Sequence, residues 1–251
     1  DWSSDVCSSD LPPGPSPALV QATMKPGAER MEAYLPLLRG KKVAVFANHT
    51  SRVGSTHLID TLITSGVDIR VIFATEHGFR GKANAGEKVN DTFDEAHQIK
   101  IVSLYGKKNR PGAEELTDVE VILFDIQDVG VRFFTYISSL EELLEAALEF
   151  HKPLIVLDRP NPNGFYVDGP VLDTAFKSFV GMQPVPVVYG MTIGEYAKML
   201  IGEKWMDKKA LDGYDKMLLN GITPFKVITC QNYKHAAVYN LTVKPSPNLP
   251  D

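Results

Sequence analysis

The stretch VEVILFDIQDVGVR (119–132) decides how the rest of the chain is read. Its first half is almost continuously apolar and rich in β-branched and aromatic residues. It lacks the in-out alternation of a strand with one wet face, so it reads as a strand buried on both sides, as in a parallel sheet. Its second half turns polar within a few residues, through Asp125, Gln127, Asp128 and Arg132. Downstream, ISSLEELLEAALEFH (137–151) is an amphipathic helix and KPLIVLDR (152–159) is another apolar run. Strand, helix, strand in that order is the parallel crossover unit.

The same rhythm extends upstream. KKVAVFAN (41–48), DIRVIFATE (68–76) and IKIVSLYG (99–106) are further apolar runs. STHLIDTLITSG (55–66) reads as a helix stopped by Gly66, and Met31, Tyr34, Leu35 and Leu38 share one helical face. The expected fold is α/β, a doubly wound, mostly parallel sheet with helices on both faces. Residues 27–175 are expected to form its main domain, and 176–251 its remainder plus the start of a smaller C-terminal domain. In that second region FVGMQPVPVVYG (179–190) looks extended, and FKVITCQNY (225–233) reads as a strand. TIGEYAKMLIGEKW (192–205) is helical, with Thr192 and Glu195 at capping-box spacing.

Composition narrows the function classes. The chain has 251 residues, 44% of them hydrophobic and 23% charged, which suffices for a sizeable core. A net charge of -5 with no basic stripe argues against a nucleic-acid partner. No apolar run is long enough to span a membrane. Two cysteines, Cys7 and Cys230, make neither a disulfide framework nor a metal knuckle. The opening DWSSDVCSSDL (1–11) reads as the translation of a sequencing adapter, and PPGPSP (12–17) as a proline-rich linker. Residues 1–26 are therefore set aside as adapter-derived or disordered.

In an open parallel sheet, ligands bind beyond the carboxyl ends of the strands. Those ends are polar here. They carry Asn48, His49, Thr50, Ser51 and Arg52 after the first strand, and Glu76, His77 and Arg80 after the second. Gln127, Asp128 and Arg132 follow the fourth, and Asp158, Arg159, Asn161 and Asn163 the fifth. A bare scaffold needs turn formers at these places, not this set of acids and arginines. GxGxxG, GxxxxGK[ST] and GxSxG are missing at the expected places, and the histidines have no recognisable metal spacing. Neither cofactor nor metal is expected. Carboxylates and arginines remain, a kit suited to cleaving an acidic sugar. A carboxylic acid protonates the glycosidic oxygen, a second carboxylate often assists, and an arginine fork holds a sugar-borne carboxylate.

The segments ANHTSRVG (47–54), EHGFRGKANAGE (76–87), FDIQDVGVRFFTYISSL (124–140), LDRPNPNGFYVDGPVLD (157–173) and FVGMQPVPVVYGMTIGEYA (179–197) resemble the NamZ-type exo-β-N-acetylmuramidases. The resemblance implies a Rossmann-like domain followed by a smaller C-terminal domain, of which PSPNLP (245–250) looks like the beginning. It also implies release of N-acetylmuramic acid from the non-reducing end of peptidoglycan fragments, outside the cytoplasm, in the periplasm or as a secreted enzyme. The family's catalytic glutamate falls at Glu76. His77 either orients it or touches the sugar, or is a structural histidine. Arg80 and Arg132 compete for the lactyl carboxylate, against structural ion pairing. Asp128 and Glu87 are candidates for the second carboxylate, with helix capping the alternative for Asp128. Asn48, Thr50 and Ser51 either bond sugar hydroxyls or cap the next helix, and Gln127, at the end of the most buried strand, is a further substrate-binding candidate. Arg159, Asn161 and Asn163 form either a cleft wall or a rigid turn with an Asp158–Arg159 ion pair, and Tyr189 either lines the sugar site or packs in the core. Asp125 is read as structural, Glu195 as the capping-box residue, and His57 as a surface helix residue. The competing readings are a non-catalytic cell-wall sugar-binding module and a glycosyltransferase-like enzyme.

Overall fold

The computed structural model describes residues 24–75, 92–106, 108–241 and 243–246. A single 3₁₀ turn, Gly27–Glu29, leads into α1 (Met31–Leu38) and then β1 (Lys42–Ala47). A small antiparallel hairpin, β2 (Arg52–Val53) and β3 (Thr56–His57), precedes α2 (Leu58–Thr64) and β4 (Asp68–Ala74). The chain continues through β5 (Thr92–Asp94), β6 (Ile99–Ser103), the one-turn α3 (Ala113–Leu116) and β7 (Val121–Asp125). Helix α4 (Tyr136–Glu149), β8 (Leu154–Leu157), α5 (Ile193–Gly202), α6 (Lys208–Leu219) and β9 (Phe225–Ile228) complete it.

The seven-stranded sheet has the order β5-β6-β4-β1-β7-β8-β9. Only β5 runs antiparallel, at the edge, while the other neighbours pair in parallel. The chain therefore winds outward from β1 to β4 and β6, then crosses back and winds the other way through β7, β8 and β9. That reversal places a topological switch point between β1 and β7, where a crevice opens at the carboxyl ends. The six expected strands and the four expected helices are present, as β1, β4, β6, β7, β8 and β9 and as α1, α2, α4 and α5. The short edge strand β5 and the whole of α6 were not read from the sequence.

Burial explains the apolar runs. On one face Ala44, Phe46, Ile122, Phe124 and Val156 pack under α4, α5 and α6. On the other face Val43, Val45, Leu123 and Ile155 pack against α1 and α2. Both faces of the central strands are dry, so both parities of residue must be apolar. Phe46 and Phe124 stack across β1 and β7 with centroids 5.2 Å apart, welding the two strands that flank the switch point. Helix α4 and helix α6 are in close contact at Gly213, where a Cβ would sit 2.1 Å from the Leu148 carbonyl oxygen.

The region 160–192 contains no long strand. It makes isolated bridges, Val131 with Val188 and Asp168 with Val188, so the extended expectation for 179–190 holds only locally. His57 is a correction. It is buried rather than on the surface, because its Nδ1 caps α2 by accepting from the Ile59 amide and its Nε2 donates to the Asn48 carbonyl.

Candidate functional site

The carboxyl end of β1 is a turn built by side chains. Asn48 Oδ1 accepts from the Thr50 amide at 2.9 Å and from the Thr50 hydroxyl at 2.5 Å, an Asx-type closure. Asn48 Nδ2 donates to the Tyr136 hydroxyl on α4, and the Asn48 amide donates to Ser51 Oγ. Ser51 Oγ in turn donates to the Asp125 carbonyl at the end of β7. Thr50 Oγ1 accepts from the Gln127 amide at 3.0 Å. The β1 turn is thus pinned to the β7 end across the switch point, and Asn48 and Ser51 are fully buried. Their polar atoms are committed to this pinning and not to a ligand.

Beneath the turn lies a buried ion pair. Arg159, at the end of β8, grips Asp125 with Nε at 2.6 Å and Nη2 at 2.8 Å. The same Nη2 donates to the Arg52 carbonyl at 3.0 Å, fixing the hairpin. The Asp158–Arg159 ion pair of the rigid-turn alternative does not form; Arg159 pairs with Asp125 instead. Asp158 faces α5 instead, where its carboxylate accepts from the Thr192 hydroxyl at 2.8 Å and from the Gly194 amide at 2.9 Å. Burial raises the Asp158 pKa to about 6, against the lowering effect of those donors.

Asp128 and Tyr189 form a second buried unit. The Tyr189 hydroxyl and the Gly130 amide both donate to Asp128 Oδ2. Asp128 Oδ1 has no hydrogen-bond partner among the described residues. Desolvation pushes the Asp128 carboxyl above its ordinary range, outweighing the Tyr189 and backbone hydrogen bonds. Asp128 does not cap α4, since its partner is the Gly130 turn. Gly130 itself sits at φ +75, and a Cβ there would collide with the Asn161 amide.

The Pro-Asn loop after β8 is a braced turn. Asn161 Oδ1 accepts from the Asn163 amide and its Nδ2 donates to the Met191 carbonyl at 2.7 Å. Asn163 Nδ2 donates to the Val129 carbonyl. Arg132 directs its guanidinium to the Pro170 and Val185 carbonyls, holding the 165–190 region rather than facing the crevice. Glu195 completes the expected capping box with Thr192 and also receives His235 Nε2 at 3.0 Å. Glu76, His77, Arg80 and Glu87 lie outside the described residues.

At the switch point these elements frame an open cavity of about 270 Å³. Thr50, Gln127, Arg159 and Pro160 line it from the strand ends, and Arg52, Gly54 and Ser55 from the hairpin. Glu29 and the chain near Asn240 and Val243 supply the remaining walls. Gln127 donates its Nε2 to the Asp128 and Pro160 carbonyls at 2.7 Å each, which leaves Oε1 as its free acceptor. Of the polar strand-end residues read from sequence, the cavity brings together Thr50, Arg52, Gln127 and Arg159; it adds Glu29. Glu29 sits on the short turn before α1, where no strand-end rule points to it. Among the described residues no group of three His, Cys, Asp or Glu could hold a metal, and no helix is long and apolar enough to cross a membrane.

The cavity sits at the switch point of a doubly wound sheet with no glycine-rich phosphate loop after β1, and the sequence that builds this sheet matches a known family. The chain belongs to the family described as exo-beta-N-acetylmuramidase NamZ, N-terminal, whose sequence model matches residues 43–251. A relative in this NamZ family, the peptidoglycan beta-N-acetylmuramidase NamZ of Bacillus subtilis (strain 168), is 36% identical over 86% of this chain and 50% of its own length. Two solved structures of DUF1343 family proteins from Bacteroides fragilis NCTC 9343 are similar throughout. One has a TM-score of 0.78 at 41% identity, covering 91% of this chain and 57% of that one. The other has a TM-score of 0.75 at 34% identity, covering 87% and 53%. The chain thus spans about half the length of the curated relative and of these two solved structures.

Proposed function

We propose that this chain carries the sheet domain of a glycoside hydrolase that releases N-acetylmuramic acid from the non-reducing end of peptidoglycan fragments. The observation that carries the reading is the cavity at the β1/β7 switch point, in a chain of this family, lined by Gln127, Arg52 and Glu29. Hydrolysis needs a proton donor at the glycosidic oxygen and groups that grip the departing sugar. In this reading Glu76, directly after β4, is the acid, with His77 beside it. Asp128 is a buried carboxyl of raised proton affinity, behind the cavity wall that Gln127 contributes. It and Glu87 are the candidates for the second carboxylate. Arg80 follows Glu76 by four residues in the sequence and is a candidate for the lactyl carboxylate. Peptidoglycan-derived saccharides are the partners, and the periplasm or the cell exterior is where they are met.

The test is incubation with a chromogenic β-N-acetylmuraminide without nucleotide or metal. Release of the chromophore, abolished in Glu76→Gln at unchanged melting temperature, is the expected result. Saturable binding of the muraminide with no release in the wild type would favour the sugar-binding module, and release only with a sugar nucleotide the transferase.

A further inference from the structure

The cavity contains arginines of two kinds. The Arg159 guanidinium is held by both oxygens of Asp125, so its charge is cancelled inside the scaffold. Arg52 is different. Its Nε donates to the His49 carbonyl at 3.4 Å and its Nη1 to the Ser55 carbonyl at 3.0 Å. Those acceptors are neutral, and Arg52 has no carboxylate partner among the described residues. Its side chain is therefore positioned without being neutralised. The backbone below it is also fixed, since Arg159 Nη2 holds the Arg52 carbonyl and the two-residue Gly54–Ser55 turn closes the hairpin. The cavity's one described carboxylate with no ion pair is that of Glu29, and it does not reach Arg52. Arg132, the other arginine bound only to carbonyls, does not line the cavity.

The remaining lining suits a sugar. Gln127 Oε1 is a fixed acceptor for an N–H or O–H, and the Ser55 hydroxyl and Asn240 amide are available at the rim. A volume of about 270 Å³ lies at the small end of ligand sites, which run from about 300 to 1,000 Å³, and fits one pyranose ring rather than an oligosaccharide.

We propose that this cavity is the subsite for a single carboxylate-bearing sugar and that Arg52 holds the carboxylate, making it the residue that separates muramic acid from glucosamine. The proposal rests on the muramidase reading for the identity of the sugar and not for the charge it selects. A guanidinium fork held in place by two carbonyls loses little freedom on engaging a carboxylate, and charge-assisted pairs are the strong ones. The neutral Arg159–Asp125 pair then acts as the rigid floor that keeps Arg52 aimed.

Calorimetric or NMR titration of the full chain tests this, with N-acetylmuramic acid, its methyl ester and N-acetylglucosamine as probes. The expected result is that the acid binds about tenfold or more tightly than either neutral sugar. Arg52→Gln should abolish that preference while leaving affinity for the neutral sugars within about twofold, and Arg52→Lys should retain part of it. Glu29→Gln should leave the preference intact or increase it. Equal binding of acid and ester by the wild type overturns the proposal, as does an undiminished preference in Arg52→Gln. If Arg52→Gln does not fold, Arg52→Lys and the acid–ester comparison on wild type still decide. Because these are binding measurements, a failure here leaves the release assay to judge the hydrolase reading separately.

Discussion

Asp125 and Arg159 show why the strand ends look functional from sequence and yet serve the frame. Both are buried, and each neutralises the other through a bidentate contact. Removing one partner leaves an unpaired buried charge, which costs about 3–5 kcal/mol. Arg159→Met should therefore lower the urea midpoint strongly, and Arg159→Met with Asp125→Leu should recover part of the loss. Asp158 supplies a pH signature. Its carboxyl is raised to about 6 in the fold, from an ordinary value near 4 when unfolded. An acid with a raised folded pKa contributes stability that is fully present below about pH 4 and is lost as pH rises through 6. The loss is on the order of 3 kcal/mol at most. Denaturation of the wild type and Asp158→Asn between pH 4 and pH 7 should give curves that converge at the acidic end and separate above it, with Asp158→Asn the flatter.

At the scale of elements, the critical contact is the crossing of α4 and α6. Gly213 lets the α6 backbone approach the end of α4, and a methyl group there would meet the Leu148 carbonyl oxygen. Backbone cannot yield as a side-chain end can, so Gly213→Ala should destabilise by about 1–3 kcal/mol, read as a fall in melting temperature. Thr192 has two duties, capping α5 and bonding Asp158. Thr192→Ala should cost about 1–2 kcal/mol, more than a cap on an isolated helix. The capping box was legible in the sequence because its partners are three residues apart. Helix α6 was not, since Lys208–Leu219 carries only three buried residues, Ala210, Gly213 and Met217. That narrow stripe, interrupted by a glycine, gives little periodic signal.

At the scale of the molecule, the longest run of exposed large apolar side chains among the described residues falls along 165–180. Phe165, Val167, Val171, Phe176 and Val180 are all exposed there, Phe176 at 76%. Apolar surface gathered in this way favours association. The chain should show concentration-dependent self-association in sedimentation velocity, weakened by Phe176→Ser with Val171→Ser. Unchanged sedimentation in the double variant would remove this region as the cause.

The sequence alone determined the winding. A strand dry on both faces must be apolar at every position, so the parallel sheet, its flanking helices and the polar strand ends could be read directly. The resemblance carried by the longer motifs supplied the family. What each polar residue does was decided only in three dimensions. Asn48 and Asn161 look alike as strand-end amides available to a sugar, yet both spend their hydrogen bonds on neighbouring turns. Arg159 and Arg52 look alike as cations, yet among the described residues only Arg159 has a carboxylate within reach. The Asp125 that neutralises Arg159 comes from another strand, and Asn48 and Asn161 each add a partner far along the chain, Tyr136 and Met191, to a local contact. Hydrogen-bond and charge compensation depend on spatial neighbours, which local pattern does not encode.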